Sequence, residues 1–354
     1  MNRYLVLEDG TVFKGKAFGA DREVTAEIVF TTAMTGYMET LTDKSYKGQA
    51  VVQTFPLIGN YGIIREDQES GTVGPSAYIV REWCSHPSNF RCEGDLDSYL
   101  REHHIPGLYG IDTRTLTRLL RERGTMNGAI TDNPDSADLE KIRLFRCSHP
   151  ITQVTIHEPT LFRAGKSRRL IVMLDFGRKD NILRSLLKRD CDVWVLPAQT
   201  APEKILKYKP DGIFLTNGPG DPSDNPEIIE HLKELSICGI PMMGICMGHQ
   251  LLALAHGFQT EKMKYGHRGA NQPVKDMRTG KIYITSQNHG YAVKEGSVAP
   301  SVAETSFINV NDGTNEGLRY KGYPVCSVQF HPEACAGPKD TDFLFDEFVS
   351  MLGR

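Results

Sequence analysis

Cys246 stands in Gly244-Ile245-Cys246-Met247-Gly248-His249-Gln250, directly after the apolar run 241–245. The run reads as a short buried strand and residues 247–255 as a helix stopped by Gly257, so the cysteine falls on a sharp strand-to-helix corner. Glycine on both sides lets the backbone turn tightly and approach a neighbouring segment without a Cβ clash. The spacing G-x-C-x-G is a cysteine version of the nucleophile elbow. A thiol at a helix N-terminus ionises more readily than a free one, because the partial positive charge there favours thiolate. Acyl transfer by that thiolate also needs a base, and the base needs an orienting partner. Both are present in Val328-Gln329-Phe330-His331-Pro332-Glu333-Ala334, where a strand over 325–330 is expected to deliver His331 at its end. With Pro332 holding the segment extended, His331 and Glu333 would share one face. For the oxyanion, the backbone N–H of Met247 is one candidate donor. The loop 216–222, with Gly218 and Gly220 flanking Pro219, is a candidate for the second. That loop has neither the G-x-G-x-x-G nor the Walker A spacing, so a nucleotide site is not expected there.

These residues need a scaffold, and the sequence changes grammar along its length. The chain has 354 residues, 40% of them hydrophobic, enough for a large core and more consistent with two domains than one. A formal net charge of −3 speaks against a nucleic-acid or membrane-surface protein. The opening MNRYLVLEDG lacks a long apolar region, and no later run has membrane-spanning length. Eight cysteines without a C-x-x-C pair indicate neither a disulfide framework nor a zinc ribbon. Cys84, Cys147, Cys191, Cys238 and Cys326 read as small buried hydrophobes. A reduced, cytoplasmic protein is the expectation.

Residues 1–150 read as a β-rich domain: a hairpin over 3–18 turning at Glu8-Asp9-Gly10, strands at 27–32 and 49–54, and helices at 95–104 and 112–123. Residues 151–169, ending in the basic run 163–169, read as a solvated linker. From 170 to 354 strands and helices alternate, with strands at 170–174, 193–196, 213–215 and 242–245 and helices at 181–188, 202–206 and 226–235. Alternation at this spacing predicts βαβ units, hence an α/β domain with a mainly parallel sheet covered by helices on both faces. Ligands bind at the C-terminal ends of such strands, where Cys246 lies.

TNGPGDP, GICMGHQ and QFHPEA, in this order, resemble the class I (triad) glutamine amidotransferases over the region from about residue 170 onward. LEDGTVFKGKAFG, TAMTGYMETLTDKSYKGQ, FPLIGNYG, GIDTRTLTRLLRERG and SQNHGYAV extend the likeness, and the whole chain resembles the small-subunit family of carbamoyl-phosphate synthases. The resemblance implies Cys246 as nucleophile, His331 as base and Glu333 as its orienter. It implies L-glutamine contacts at Ser45, Gly218, Gly220, Met247, Gln250, Asn288, Gly290 and Tyr291. Gln250 follows Cys246 by four residues and so can face the same pocket. Ser45 comes from the first domain, which would place the pocket near the domain boundary.

The implied reaction is hydrolysis of glutamine through a γ-glutamyl thioester. Ammonia would pass to a large subunit that spends ATP and bicarbonate on carbamoyl phosphate for pyrimidines and arginine. The chain stops soon after the triad, so that subunit is expected as a separate chain forming a heterodimer, and no metal or organic cofactor is expected in this one. A free-standing γ-glutamyl hydrolase and a non-enzymatic regulatory scaffold are the alternatives. The N-terminal domain argues against the first and the intact triad against the second. Met247, Cys335, Ala336, Arg178 and Asp180 depart from the family pattern. Cys335 would bring a second thiol near His331, Ala336 would alter the local turn, and the Arg178/Asp180 pair would change a contact with the partner.

Overall fold

The computed structural model describes residues 1–167, 169–334 and 336–353. They form two compact units, Met1–Ser148 and His149–Arg354. In the first unit, seven strands close a barrel in the order Asn2–Leu7, Val12–Gly19, Pro106–Tyr109, Ala77–Val80, Gln49–Gln53, Val24–Thr31 and Met126–Thr131. Closure leaves no strand edge in need of a partner. The hairpin of the first two strands pairs Val6 with Val12 across its turn, as the sequence predicts. Helix Leu96–Glu102 starts at Asp95, whose carboxylate accepts the Ser98 N–H. Helix Thr113–Arg123 starts at Asp112 in the same way and stops at Gly124, burying Leu116 and Leu120.

The second unit is built on one ten-stranded sheet. Its centre is parallel, with Cys191–Pro197, Arg169–Asp175, Gly212–Leu215, Met242–Ile245 and Val325–Val328 side by side. These strands read as unbroken apolar runs because both faces are covered. Val172, Leu174, Ile213 and Leu215 pack towards Ile205, Ile228, Leu232 and Leu251. Ile171, Met173 and Phe214 pack towards Ile182, Leu186, Phe345 and Phe348 on the other face. Antiparallel strands extend the sheet beyond the part that the βαβ pattern foretold: Asn315–Tyr320, Ala303–Asn309, Thr260–Asp276 and Ile282–Val293 follow Val325–Val328. No helix among the described residues is long and apolar enough to cross a membrane.

The expected linker 151–169 is corrected by the structure. Ile151 is fully buried in the second unit's core, and Thr160–Phe162 pairs antiparallel with Cys191–Pro197 at the sheet edge. The Ala164 N–H donates to Asp192 Oδ1 at 2.7 Å. The basic run drew the linker reading, but the apolar residues before it pair with the sheet, so the units divide after Ser148. Arg168, within that run, lies outside the described residues. Cys238 is exposed rather than buried, and Cys84, Cys147 and Cys326 are half-buried; Cys191 is buried as expected.

Candidate active site

Strand Met242–Ile245 runs without a loop into helix Met247–Ala255, and Cys246 is the hinge, with φ 52° and ψ −101°. A non-glycine residue held there carries strain of about 1–3 kcal/mol, so its surroundings must over-determine it. They do. The Cys246 N–H continues the sheet ladder to Val328 O at 2.9 Å, and the Gly248 N–H donates to Thr216 O at 3.0 Å. Both glycines serve close approach rather than a left-handed backbone. A Cβ on Gly244 would lie 2.7 Å from the Gly248 carbonyl carbon, and one on Gly248 would lie 2.6 Å from Leu215 O. Neither obstacle is a flexible side chain, so Gly248→Ala must push the helix start off the strand. A displacement of about 1 Å at a reacting group costs about 100-fold in rate. We expect Gly248→Ala to lower kcat/KM for glutamine by about that factor and to lower the melting temperature, measured by glutamate release and thermal unfolding.

Strand Val325–Val328 pairs in parallel with the Cys246 strand, Ile245 opposite Val328, so both chains leave the sheet on the same side. The strand ends at Val328, and His331 is then pinned by its N–H to Ser286 O at 2.9 Å. The extended 331–333 segment expected from sequence is instead a turn, closed by the Ala334 N–H to His331 O at 3.2 Å. Proline suits the second position of such a turn because its φ is already fixed near −65°. The turn folds Glu333 back until Oε1 lies 2.6 Å from His331 Nδ1. A carboxylate only accepts, so Nδ1 carries the proton and Nε2 presents its lone pair. Among the described residues that buried Nε2 has no hydrogen-bond partner.

Burial alone would raise the Glu333 carboxyl. The charge and hydrogen bond of His331, and the charge of Lys179, outweigh it and hold the group below its ordinary value. Lys179 is a residue that the sequence reading missed: its buried Nζ lies 3.9 Å from Glu333 Oε1. Its N–H donates to Asn217 Oδ1 at 3.1 Å, and Asn217 Nδ2 donates to Gly177 O at 3.0 Å, tying two neighbouring strand-end loops together. Its position just past the Arg169–Asp175 strand was the available signal.

Cys246 and His331 are brought to one place by a third strand. On Ile282–Val293, Ser286 bridges His331 and the Asn288 carbonyl lies 3.7 Å from Cys246 Sγ. Two residues along a strand span about 7 Å. Gly290 and Tyr291 continue the same strand, and the Tyr291 carbonyl accepts Gln250 Nε2 at 2.7 Å. Gln250 Nε2 also donates to Gln329 Oε1 at 3.0 Å, which uses both its hydrogens and leaves Oε1 for a ligand. Met247 packs its side chain into the core and opens the helix, where the first N–H groups have no intrahelical acceptor. Gly218 lies against the Phe176 backbone, where a Cβ would come within 2.4 Å of the carbonyl oxygen, and Gly220 takes φ 92°. Ser45 belongs to the first unit, 8% exposed in the short turn Lys44–Tyr46, its N–H donating to Asp43 Oδ1 at 2.9 Å.

Of the unusual positions, Arg178 and Asp180 form their own ion pair at 2.8 Å, and the Arg178 guanidinium lies 5.4 Å from the centre of the Phe162 ring. The two departures are therefore one local exchange. Ala336 O accepts Ser286 Oγ at 3.1 Å, and Cys335 lies outside the described residues.

A parallel sheet with a cysteine on the strand-to-helix corner at one strand end and a carboxylate-paired histidine beyond the next fits a class I glutamine amidotransferase domain. The family model for glutamine amidotransferase class-I matches residues 172–351, and that for the carbamoyl-phosphate synthase small chain, CPSase domain, matches residues 5–130. The chain belongs to the carbamoyl-phosphate synthase small chain family. It is 53% identical over 356 aligned residues to a carbamoyl phosphate synthase small chain of Bacillus cereus, covering 99% of this chain and 96% of that one. A relative of the same description from Fusobacterium nucleatum is 51% identical over 353, covering 99% and 98%. A crystal structure of a glutamine amidotransferase from Thermotoga maritima aligns with 47% of this chain and 76% of its own at 19% identity and a TM-score of 0.38.

Proposed function

We propose that Cys246, His331 and Glu333 are the triad for the glutamine hydrolysis that family membership assigns to this chain. The observation that carries this is the 2.6 Å contact between His331 and Glu333, which leaves Nε2 as the free base beside the strand that also touches Cys246. His331 Nε2 takes the Cys246 proton, and the thiolate attacks the γ-carboxamide carbon of L-glutamine. The N–H of Met247 and a donor from the Gly218–Gly220 loop stabilise the oxyanion, each worth about 3 kcal/mol in a transition state. His331 then returns the proton to the departing nitrogen, releasing ammonia and leaving a thioester. It next activates the water that frees glutamate. Asn288, Gly290, Tyr291 and Gln250 Oε1 are the proposed contacts for the substrate's α-amino, α-carboxylate and amide groups.

Ammonia released to neutral water takes up a proton and stops being a nucleophile, so the product must be handed on directly. The receiver is a carbamoyl-phosphate synthase large subunit, bound as a heterodimer in the cytoplasm, which consumes ATP and bicarbonate. This chain's own steps use only side chains and backbone, with no cofactor. The test is glutamate release by the chain alone and with the large subunit, ATP and bicarbonate. We expect slow hydrolysis alone and a rise of about 100-fold in the mixture, the size expected when one reacting group is brought into register. Equal rates without a complex would overturn the reading.

A further inference from the structure

Alternate residues of the Ile282–Val293 strand face different tasks. Ser286 and Asn288 meet His331 and Cys246, whereas Gln287 and His289 enter a separate buried network that the triad does not use. His289 Nδ1 donates to the Tyr291 carbonyl at 2.8 Å, the same oxygen that accepts Gln250 Nε2. Its Nε2 lies 3.1 Å from Gln287 Oε1. Against its ring, edge to face at 5.0 Å, stands His267. His267 Nε2 donates to Asp312 Oδ2 at 2.8 Å, and Nδ1 lies 3.5 Å from Oε1 of the fully buried Glu316. The strand of Glu316 reaches the same point from the other side. Its carbonyl accepts the Gln329 N–H at 2.9 Å, and Gln329 Oε1 accepts Gln250 Nε2. Two chains of contacts thus converge on Gln250, one helical turn from Cys246.

We propose that His267 is a positioning residue for the glutamine pocket: an imidazolium held between Asp312 and Glu316 that fixes His289 and, through the Tyr291 carbonyl, the side chain of Gln250. The proposal rests on the pocket reading above. Two carboxylates meet here, one of them fully buried, and a buried carboxylate needs a cation or a proton beside it. Burial works against charge on His267, but the hydrogen bond to Asp312 and the Glu316 carboxylate 3.5 Å from Nδ1, where Asn309 Nδ2 also approaches to 3.4 Å, outweigh this and raise it to about 9. Asp312 is held well below the usual carboxylate range despite its own burial, while burial pushes Glu316 up. The other charged or titratable groups facing the cluster are Arg268 from the same strand, His289 from its neighbour and, beyond His289, His331. Burial, then the charge of His267, pushes His289 well below its ordinary value. A neutral His289 has one N–H, which the Tyr291 carbonyl takes; Nε2 is then an acceptor and pairs with Gln287 only when that amide turns its NH2 towards the ring. His267, His289 and Glu316 offer donor atoms within 4.8 Å of one another, yet each imidazole nitrogen already faces a protein partner. The arrangement suits a proton rather than a metal ion.

The test is His267→Asn in the complex with the large subunit. KM for glutamine should rise about tenfold, as for other residues coupled through one network, with kcat changed by less than about threefold. In the native enzyme the proton is present below about 9 and lost above it, so KM should climb as pH passes that value. The variant should lack that step; glutamine's own amine titrates equally in both proteins, so the difference between the profiles is the readout. His267→Asn combined with Glu316→Gln removes the uncompensated carboxylate and should recover most of the lost affinity. Unchanged KM and a shared pH profile would overturn the proposal. Should the single variant fail to fold, a native KM that shows no rise up to about pH 10 does the same. Labelling of native Cys246 by a glutamine-mimicking electrophile separates the two readings: absence of label there sinks the pocket itself, whereas label with indifferent His267 sinks only this inference.

Discussion

Replacing Cys246 with serine is expected to lower glutamine hydrolysis by at least about 10⁴-fold, because members of a triad act as a unit and losing one forfeits most of what all supply. The exchange removes one polarisable atom and little volume, so the elbow, with its φ of 52° and its ladder bond to Val328, should persist. What goes is the thiolate. A helix N-terminus and a neighbouring imidazole bring a thiol within reach of ionisation at neutral pH, whereas a hydroxyl stays protonated and depends wholly on the base. The shorter Oγ also sits farther from a base positioned for sulfur. Glutamine should still bind, since none of its proposed contacts is a Cys246 side-chain atom. Glutamate release by the complex measures the loss. Carbamoyl phosphate made from added ammonia is the control, and should be unaffected because it bypasses this site. A serine variant retaining more than about a hundredth of native hydrolysis would remove Cys246 from the mechanism.

The elbow was legible because everything that makes it is local. An apolar run, a cysteine between two glycines and a helix stopped by Gly257 lie in one window, and the structure returns the strand and helix as Met242–Ile245 and Met247–Ala255. The helices capped by Asp95 and Asp112 were legible for the same reason. The pairing of His331 with Glu333 was read through the wrong geometry. A spacing of two fits both an extended segment and a tight turn, and Pro332 favours the turn. What stayed hidden depends on partners far along the chain. The Thr160–Phe162 strand is too short to announce itself and is defined by Cys191–Pro197. The strand Thr260–Asp276 is broken by bulges and carries much polar surface, so its alternation is blurred. Lys179 reaches Glu333 across 154 positions of sequence, and His267 reaches Glu316 although the strand Ala303–Asn309 lies between theirs in the sheet order.

Glu333→Gln is expected to be the second most damaging single change, lowering kcat by about 10³–10⁴-fold while leaving KM for glutamine nearly unaltered. The side chains have the same shape, so the 331–334 turn should hold, and the effect isolates what the carboxylate does. As an acceptor 2.6 Å from Nδ1 it keeps the proton on that nitrogen, and its charge stabilises the imidazolium that forms when His331 takes the thiol proton. A glutamine amide can turn its NH2 towards Nδ1 and stabilise the opposite tautomer, with the proton on Nε2 and no base facing the thiol. The same exchange in a serine triad costs about 10⁴-fold for this reason. Lys179 supplies an internal comparison. Its Nζ, 3.9 Å from Glu333 Oε1, steadies that carboxylate. Lys179→Met should therefore cost less, about 10–100-fold, and should add little further loss in the Glu333→Gln background, where the charge it steadies is already gone. Because the Glu333 carboxyl is held below its ordinary value, it stays ionised throughout the range in which a histidine titrates. The acid limb of the native kcat profile is then not the titration of Glu333 and should survive in Lys179→Met. Steady-state glutamate release for the two single variants and the double, each with the large subunit, ATP and bicarbonate, measures these differences. A Glu333→Gln enzyme within about tenfold of native kcat, or losses that simply multiply in the double variant, would show that Glu333 does not orient the base.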